Sequence, residues 1–257
     1  MVISEIEDLF ARTLEGDYDD DAPWEAVQSL RKIGSREVFD HAANWAESAQ
    51  PLKRARGLDV LAQLGKTAEH ASNSFPQESY DLVSKALQDE QEFLPLRSAI
   101  AALGHLDDVR AVPLLAQFHS DPNAEIRFSV ACALGSFPND PLSVRTLLRM
   151  TGDVDGEVRD WATFGVGVLG DADSPELSDS LYLRLEDSNS DASEEAVVGL
   201  AKRHDLRVLP KVIDLLGQPT VSSRAVEAAC LLLGMSDDDE ELSGQDYVNA
   251  LRQRFKL

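Results

Sequence analysis

The stretch Leu96–Phe118, LRSAIAALGHLDDVRAVPLLAQF, reads as two short helices and the tight turn between them. Ala99, Ile100 and Leu103 recur at helical spacing and give the first helix one apolar face. Gly104 is expected to close that helix in the left-handed conformation, which glycine adopts without a steric penalty. The acidic pair Asp107–Asp108 then turns the chain. Val112, Leu114, Leu115 and Phe118 line a second helix, and its Pro113 falls near the start, where a missing backbone donor does little harm.

The same pattern recurs on both sides. With Gly104 as anchor, equivalent helix ends fall at Gly34, Gly65, Gly135, Gly167, Ala201 and Gly234, in steps of 31 to 39 residues. A branched apolar residue precedes every anchor: Ile33, Leu64, Leu103, Leu134, Val166, Leu200 and Leu233. Five positions before each anchor stand small or β-branched residues: Ser29, Val60, Ala99, Val130, Ala162, Ala196 and Ala229. A period of this length marks a stacked-repeat protein, in which each unit buries its apolar face only against its neighbours. The expected fold is therefore all-α: a right-handed α-α superhelix of about seven helix pairs, with no sheet.

Three segments follow from this period. Residues 1–22 form an N-terminal capping helix (Ile3, Ile6, Leu9, Phe10 and Thr13–Leu14 on one face) and an acidic turn, Gly16–Asp21, expected to be flexible. Residues 23–234 carry the repeat array. Its longest step contains Lys66–Glu78, KTAEHASNSFPQE, which reads as a surface loop ending near Pro76. Residues 235–257 hold the acidic run Asp237–Glu241 and a closing helix, with Ser243 and Asp246 at capping-box spacing and Val248, Leu251 and Phe255 facing inward.

The formal net charge is −22. A surface of that sign opposes DNA, RNA and anionic membranes, and favours a basic protein partner. Cys132 and Cys230 fall among small residues on first helices, as buried free thiols would, which suits a reducing, cytoplasmic compartment. The start, MVISEIEDLF, has neither a basic leader nor a long apolar run.

The units NAEIRFSVACALG (Asn123–Gly135) and DGEVRDWATFGVG (Asp155–Gly167) resemble the HEAT-like repeats first described in phycobilisome lyases. Ile126–Arg127 and Val158–Arg159 match that family's Val-Arg pair, and Asp121 and Asp155 match its preceding acid. The resemblance covers roughly Pro23–Gly234. It implies a HEAT-like solenoid and an arginine–aspartate ladder between neighbouring units. It carries no single function, because such repeats serve lyases, scaffolds and inhibitors alike.

Catalytic and cofactor patterns point elsewhere. Gly165–Gly170 spells GxGxxG, but a dinucleotide site needs a strand before the glycines, and here a helix, Val158–Val166, precedes them. Asp153–Gly156 resembles part of a calcium loop, yet Thr151 and Ala162 occupy its first and twelfth positions. The five histidines are dispersed and no nucleophile elbow occurs. No catalytic residue, cofactor or metal is therefore assigned. Trp161 and Phe164 stand in slots held by Ser129 and Cys132 in the preceding unit. With Arg127, Phe128, Arg159 and Asp160 they make a candidate partner-binding patch, to which Arg145, Arg149 and Arg184 on second helices add positive charge. The function expected is a non-catalytic protein-binding scaffold, in its sharper form an acidic inhibitor or immunity protein that binds a basic partner. The alternative is a bilin-lyase-like, chromophore-handling protein.

Overall fold

The tight step of this chain is made by glycine and alanine, which let the first helices of successive repeats touch backbone to backbone. The computed structural model describes residues 3–236 and 242–257, so the acidic run 237–241 lies outside the described residues. Among those described there are helices and no strands. The chain divides into two compact units, 1–137 and 138–257.

In the first unit α1 (Ile3–Arg12) packs on α2 (Asp21–Ile33), burying Ile6 and Phe10. The Phe10 ring stacks on His41 at 4.0 Å and meets Trp45 edge-on at 4.9 Å. There follow α3 (Arg36–Ala46), α4 (Pro51–Ala62), α5 (Pro76–Asp89) and α6 (Phe93–His105). The expected loop from Lys66 ends where anticipated, because Pro76 starts α5. The second helix expected over Val112–Phe118 is broken: one helical turn, α7 (Val112–Leu115), sits between 3-10 turns at Val109–Ala111 and Ala116–Phe118. The unit ends with α8 (Ala124–Gly135). First helices α4, α6 and α8 stack as one layer.

Gly104 does not close its helix. It lies inside α6, and a Cβ placed on it would stand 2.8 Å from the Ala133 Cα of α8. Gly135 and Gly167 likewise carry helical backbone, whereas Gly34, Gly65 and Gly234 do adopt positive φ. The left-handed residue after α6 is Asp107 (φ 55°), and after the corresponding helix of the second unit it is His204 (φ 51°). The joints match further. Asp108 and Asp205 cap 3-10 turns, Arg110 and Arg207 pair with those caps, and their guanidiniums cover the rings of Tyr80 and Tyr182 at 4.1 and 4.8 Å. Gly104→Ala should destabilise the protein by about 1–3 kcal/mol, as overpacking outweighs the roughly 1 kcal/mol of helix propensity that alanine gains. Urea unfolding checks this, and a more stable variant would refute it.

The acidic segment Gly16–Asp21 is pinned rather than loose. Tyr18 Oη donates to Asp59 Oδ2 at 2.8 Å and lies 2.8 Å from Ser98 Oγ. Arg56, 1% exposed, donates to the carbonyls of Thr13 (2.8 Å) and Tyr18 (2.7 Å), stands 3.4 Å from Asp59 Oδ2 and covers the Tyr18 ring at 4.1 Å. Arg97 covers the same ring at 4.7 Å and pairs with Asp19 at 2.9 Å. Burial holds the Asp59 carboxyl above the ordinary carboxylate range, against the pull of Tyr18, Ser98 and Arg56.

The second unit comprises α9 (Pro141–Met150), α10 (Gly156–Phe164), α11 (Pro175–Arg184), α12 (Ser190–Lys202), α13 (Leu209–Leu216), α14 (Ser223–Leu233) and α15 (Gly244–Phe255). First helices α10, α12 and α14 stack in order, with α11 and α13 in the other layer. Gly165–Leu169 continues α10 as a π-helical turn instead of stopping it. The glycine pattern there serves packing: a Cβ on Gly199 of α12 would stand 2.8 Å from the Gly167 Cα. Ser243 caps α15 through the Asp246 amide, and Tyr247, Val248 and Leu251 are buried while Phe255 is half-buried. Neither cysteine is in a disulfide, and both are half-buried rather than buried.

Candidate functional site

Each first helix of the second unit begins with a side-chain cap, and these caps fix the helices in register. Asp155 accepts the amides of Glu157 and Val158, and Asn189 those of Asp191 and Ala192. The acid equivalent to Asp121 is Asp153, not Asp155. Asp121, Asp153 and Asp187 each accept the amide two residues on, while Asn123, Asp155 and Asn189 are the caps. Arg159 then forms the expected rung. It donates from Nε and Nη2 to both oxygens of Asp187 (2.8 and 2.6 Å), and from Nη1 to the Asp153 carbonyl at 2.9 Å. Arg184 joins Asp187 at 2.9 Å. The Arg159 guanidinium holds the Asp187 carboxyl down at about 2.

With α10, α12 and α14 so aligned, Trp161 and Phe164 meet edge to face at 5.8 Å, one turn apart on α10. Trp161 is 38% exposed. Arg224 of α14 covers the Phe164 ring at 5.7 Å and pairs with Glu195 of α12 (2.7 Å) and Glu227 (2.8 Å). Glu195 is 9% exposed, and its second oxygen, Oε2, is buried without a hydrogen-bond partner. Asp160 is half-buried beside them. Burial first, then the charges of Asp191 and Glu157, push its carboxyl up to about 6, with Arg224 opposing. Burial, Asp160 and Glu227 likewise raise Glu195 against the pull of Arg224.

Of the residues anticipated from sequence, Asp160, Trp161 and Phe164 share this face. Arg159 and Arg184 converge on Asp187 instead. Arg145 and Arg149 lie exposed on α9. In the first unit Arg127 is buried, donating to the carbonyls of Asp121 (2.9 Å) and Pro122 (3.3 Å), and Phe128 is half-buried. Glu195, Arg224 and Glu227 were not anticipated. The signal available was Glu194–Glu195 standing where the repeat expects arginine. Among the described residues no group of three or more His, Cys, Asp and Glu is placed to hold a metal ion.

An acid whose pKa is raised by folding favours the folded state at low pH and opposes it once ionised. Asp160→Asn should therefore raise the melting temperature at pH 7–8. The gain should shrink as pH falls through about 6 and vanish near the ordinary aspartate value of 3.8. A gain that does not change with pH would contradict this electrostatic account.

Residues 80–167 match a family model described as HEAT repeats. This is a HEAT-like fold. Protein YibA of Escherichia coli strain K12 is 33% identical over 109 residues, 42% of this chain and 38% of YibA's length. In space an X-ray structure of E. coli YibA aligns over 98% of this chain and 95% of its own, at 18% identity and a TM-score of 0.73. An archaeal HEAT-like repeats protein from Thermococcus onnurineus NA1 aligns over 98% of both chains, at 15% identity and a TM-score of 0.58. No helix among the described residues is long and apolar enough to cross a membrane.

Proposed function

We propose that this HEAT-like protein is a non-catalytic binding module for another protein, a basic one, and that it acts as an inhibitor or immunity protein by covering that partner. The observation that carries the reading is the α10–α12–α14 face. A half-exposed aromatic pair supplies apolar contact area, and Asp160, Glu195 and Glu227 around it supply negative charge. Aromatic anchors with a charged rim are what protein interfaces use most heavily. The net charge of −22 would speed encounter with a positive partner at low ionic strength. A cytoplasmic setting suits two cysteines outside any disulfide.

Affinity capture followed by reconstitution with the purified partner tests this. A basic protein should be retained at low salt, and its association rate should fall steeply as salt rises. A partner that is acidic, or an association rate indifferent to salt, overturns the reading. So does retention of DNA in its place at physiological salt.

A further inference from the structure

The joints after α6 and α12 are built alike, so a difference between them is informative. Arg110 covers the Tyr80 ring of α5 and donates to Gln77 at 3.0 Å. Arg207 covers the Tyr182 ring of α11 and pairs with Asp179 at 2.7 Å. Tyr80 is 8% exposed, and the exposed Asp81 follows it. Tyr182 is 45% exposed, and Leu183, 68% exposed, follows it. The joint folds with an acid in that slot, so folding does not require the leucine.

Asp179, Tyr182 and Leu183 stand at spacings of three and four and share one face of α11, and Glu186 continues the line in the turn after it. Both acids are exposed, and each holds a cation from the next repeat: Arg207 on Asp179, and Lys211 of α13 on Glu186 at 3.2 Å. Two adjacent apolar side chains therefore stand in water between two ion pairs. A single exposed leucine is ordinary. A leucine beside a half-exposed tyrosine, in a slot that is acidic on the matching helix, marks a contact surface.

We infer that the outer face of α11 docks a basic amphipathic helix of a partner protein, whose apolar stripe covers Tyr182 and Leu183. Side chains at three-and-four spacing make a ridge on which a further helix packs. The protein's net charge of −22 selects the occupant. A second copy would bring like charge against like charge, and an anionic bilayer would be repelled, whereas cations flanking an apolar stripe are drawn in. Neither ion pair has to open, because burial of the leucine and the tyrosine carries the affinity and charge only sets the sign of the partner. The inference goes beyond the reading above, which concerns the other layer of helices, and shares with it only the basic character of the partner.

The test titrates the full chain, at physiological salt, with a helix-forming peptide of about 18 residues that has leucines on one face and lysines on the other. Its leucine–glutamate counterpart is the control. Ring signals of labelled tyrosine report the contact, and Tyr182→Phe picks out the relevant one among the four. The Tyr182 signal should shift with the lysine peptide, and the glutamate peptide should not bind. Leu183→Asp, which copies the joint after α6, should weaken binding about tenfold. Val154→Asp makes the same kind of change at another exposed apolar residue and should leave binding within about twofold. Thermal unfolding checks that both variants are folded. The direction decides, because added negative charge alone would tighten the grip on a basic peptide. Unchanged or tighter binding by Leu183→Asp means diffuse attraction and overturns the inference. Binding without a Tyr182 shift overturns it while leaving a basic partner elsewhere on the protein. A dimer of the chain in sedimentation that Leu183→Asp dissociates overturns it by giving the face to a second copy. Absence of binding by the lysine peptide also overturns it and leaves the capture experiment above standing.

Discussion

Arg56→Met should lower the free energy of unfolding by about 3–5 kcal/mol, the range for removing one partner from a buried ion pair. Arg56 is 1% exposed, and three oxygens depend on it: the carbonyls of Thr13 and Tyr18 and the carboxylate of Asp59. Methionine fills most of the volume but leaves all three without that donor. Asp59 is itself buried and already held above its ordinary range by desolvation, so its charge becomes harder to bear. Adding Asp59→Asn to Arg56→Met should recover part of the loss, because the uncompensated charge goes with it. Urea unfolding measures both variants, and limited proteolysis should show early cutting between Leu14 and Asp20 in Arg56→Met. A loss below about 1 kcal/mol would mean that the segment is held by other contacts.

The second large effect is expected at Arg159. Arg159→Met should cost about 2–3 kcal/mol at neutral pH, since it breaks a two-pronged pair to a carboxylate whose side chain is 2% exposed. Asp187 would keep Arg184 and the Asn189 amide, which sets the figure below that for Arg56. The pH dependence has a definite sign. Folding lowers the Asp187 pKa from 3.8 to about 2, so its contribution is complete above about 4 and is lost as pH falls through 2. The stability gap between the natural protein and Arg159→Met should accordingly narrow in that acid window. A gap that persists to pH 2 would assign the loss to packing. An Arg159 substitution made to probe partner binding would also weaken the fold, so Asp160 and Glu195 are the cleaner probes.

The period of the chain was legible because every repeat must place a small or branched residue at the same depth. The meaning of its glycines was not. Absence of a Cβ satisfies two distinct demands, a left-handed turn at Gly34 and Gly234 and backbone contact with the next helix at Gly104. A one-dimensional pattern records only that the Cβ is missing. Trp161, Phe164 and Asp160 could be picked out as departures from the slot pattern. Glu194–Glu195 stood out where the repeat expects arginine, but the meeting of Glu195 with Arg224 did not, since it depends on how the helices stack. Tyr18 lies outside the period and gave no signal. Arg56 did give one: its slot holds Pro95, Ile126, Val158, Ala192 and Ala225 in the units that follow, and an arginine among those residues must bring its own acceptors.

The twin joints after α6 and α12 bear on how such a chain grows. In both, one left-handed non-glycine residue, one aspartate cap and one arginine over a tyrosine of the preceding second helix complete the turn. A hinge built twice from the same parts behaves as an interchangeable one. Duplication or exchange of the block from Gly104 to Pro113 with that from Ala201 to Pro210 would carry the left-handed residue, the cap and the arginine along and find a tyrosine waiting on the preceding second helix, leaving the stacking faces of the first helices free to diverge in charge.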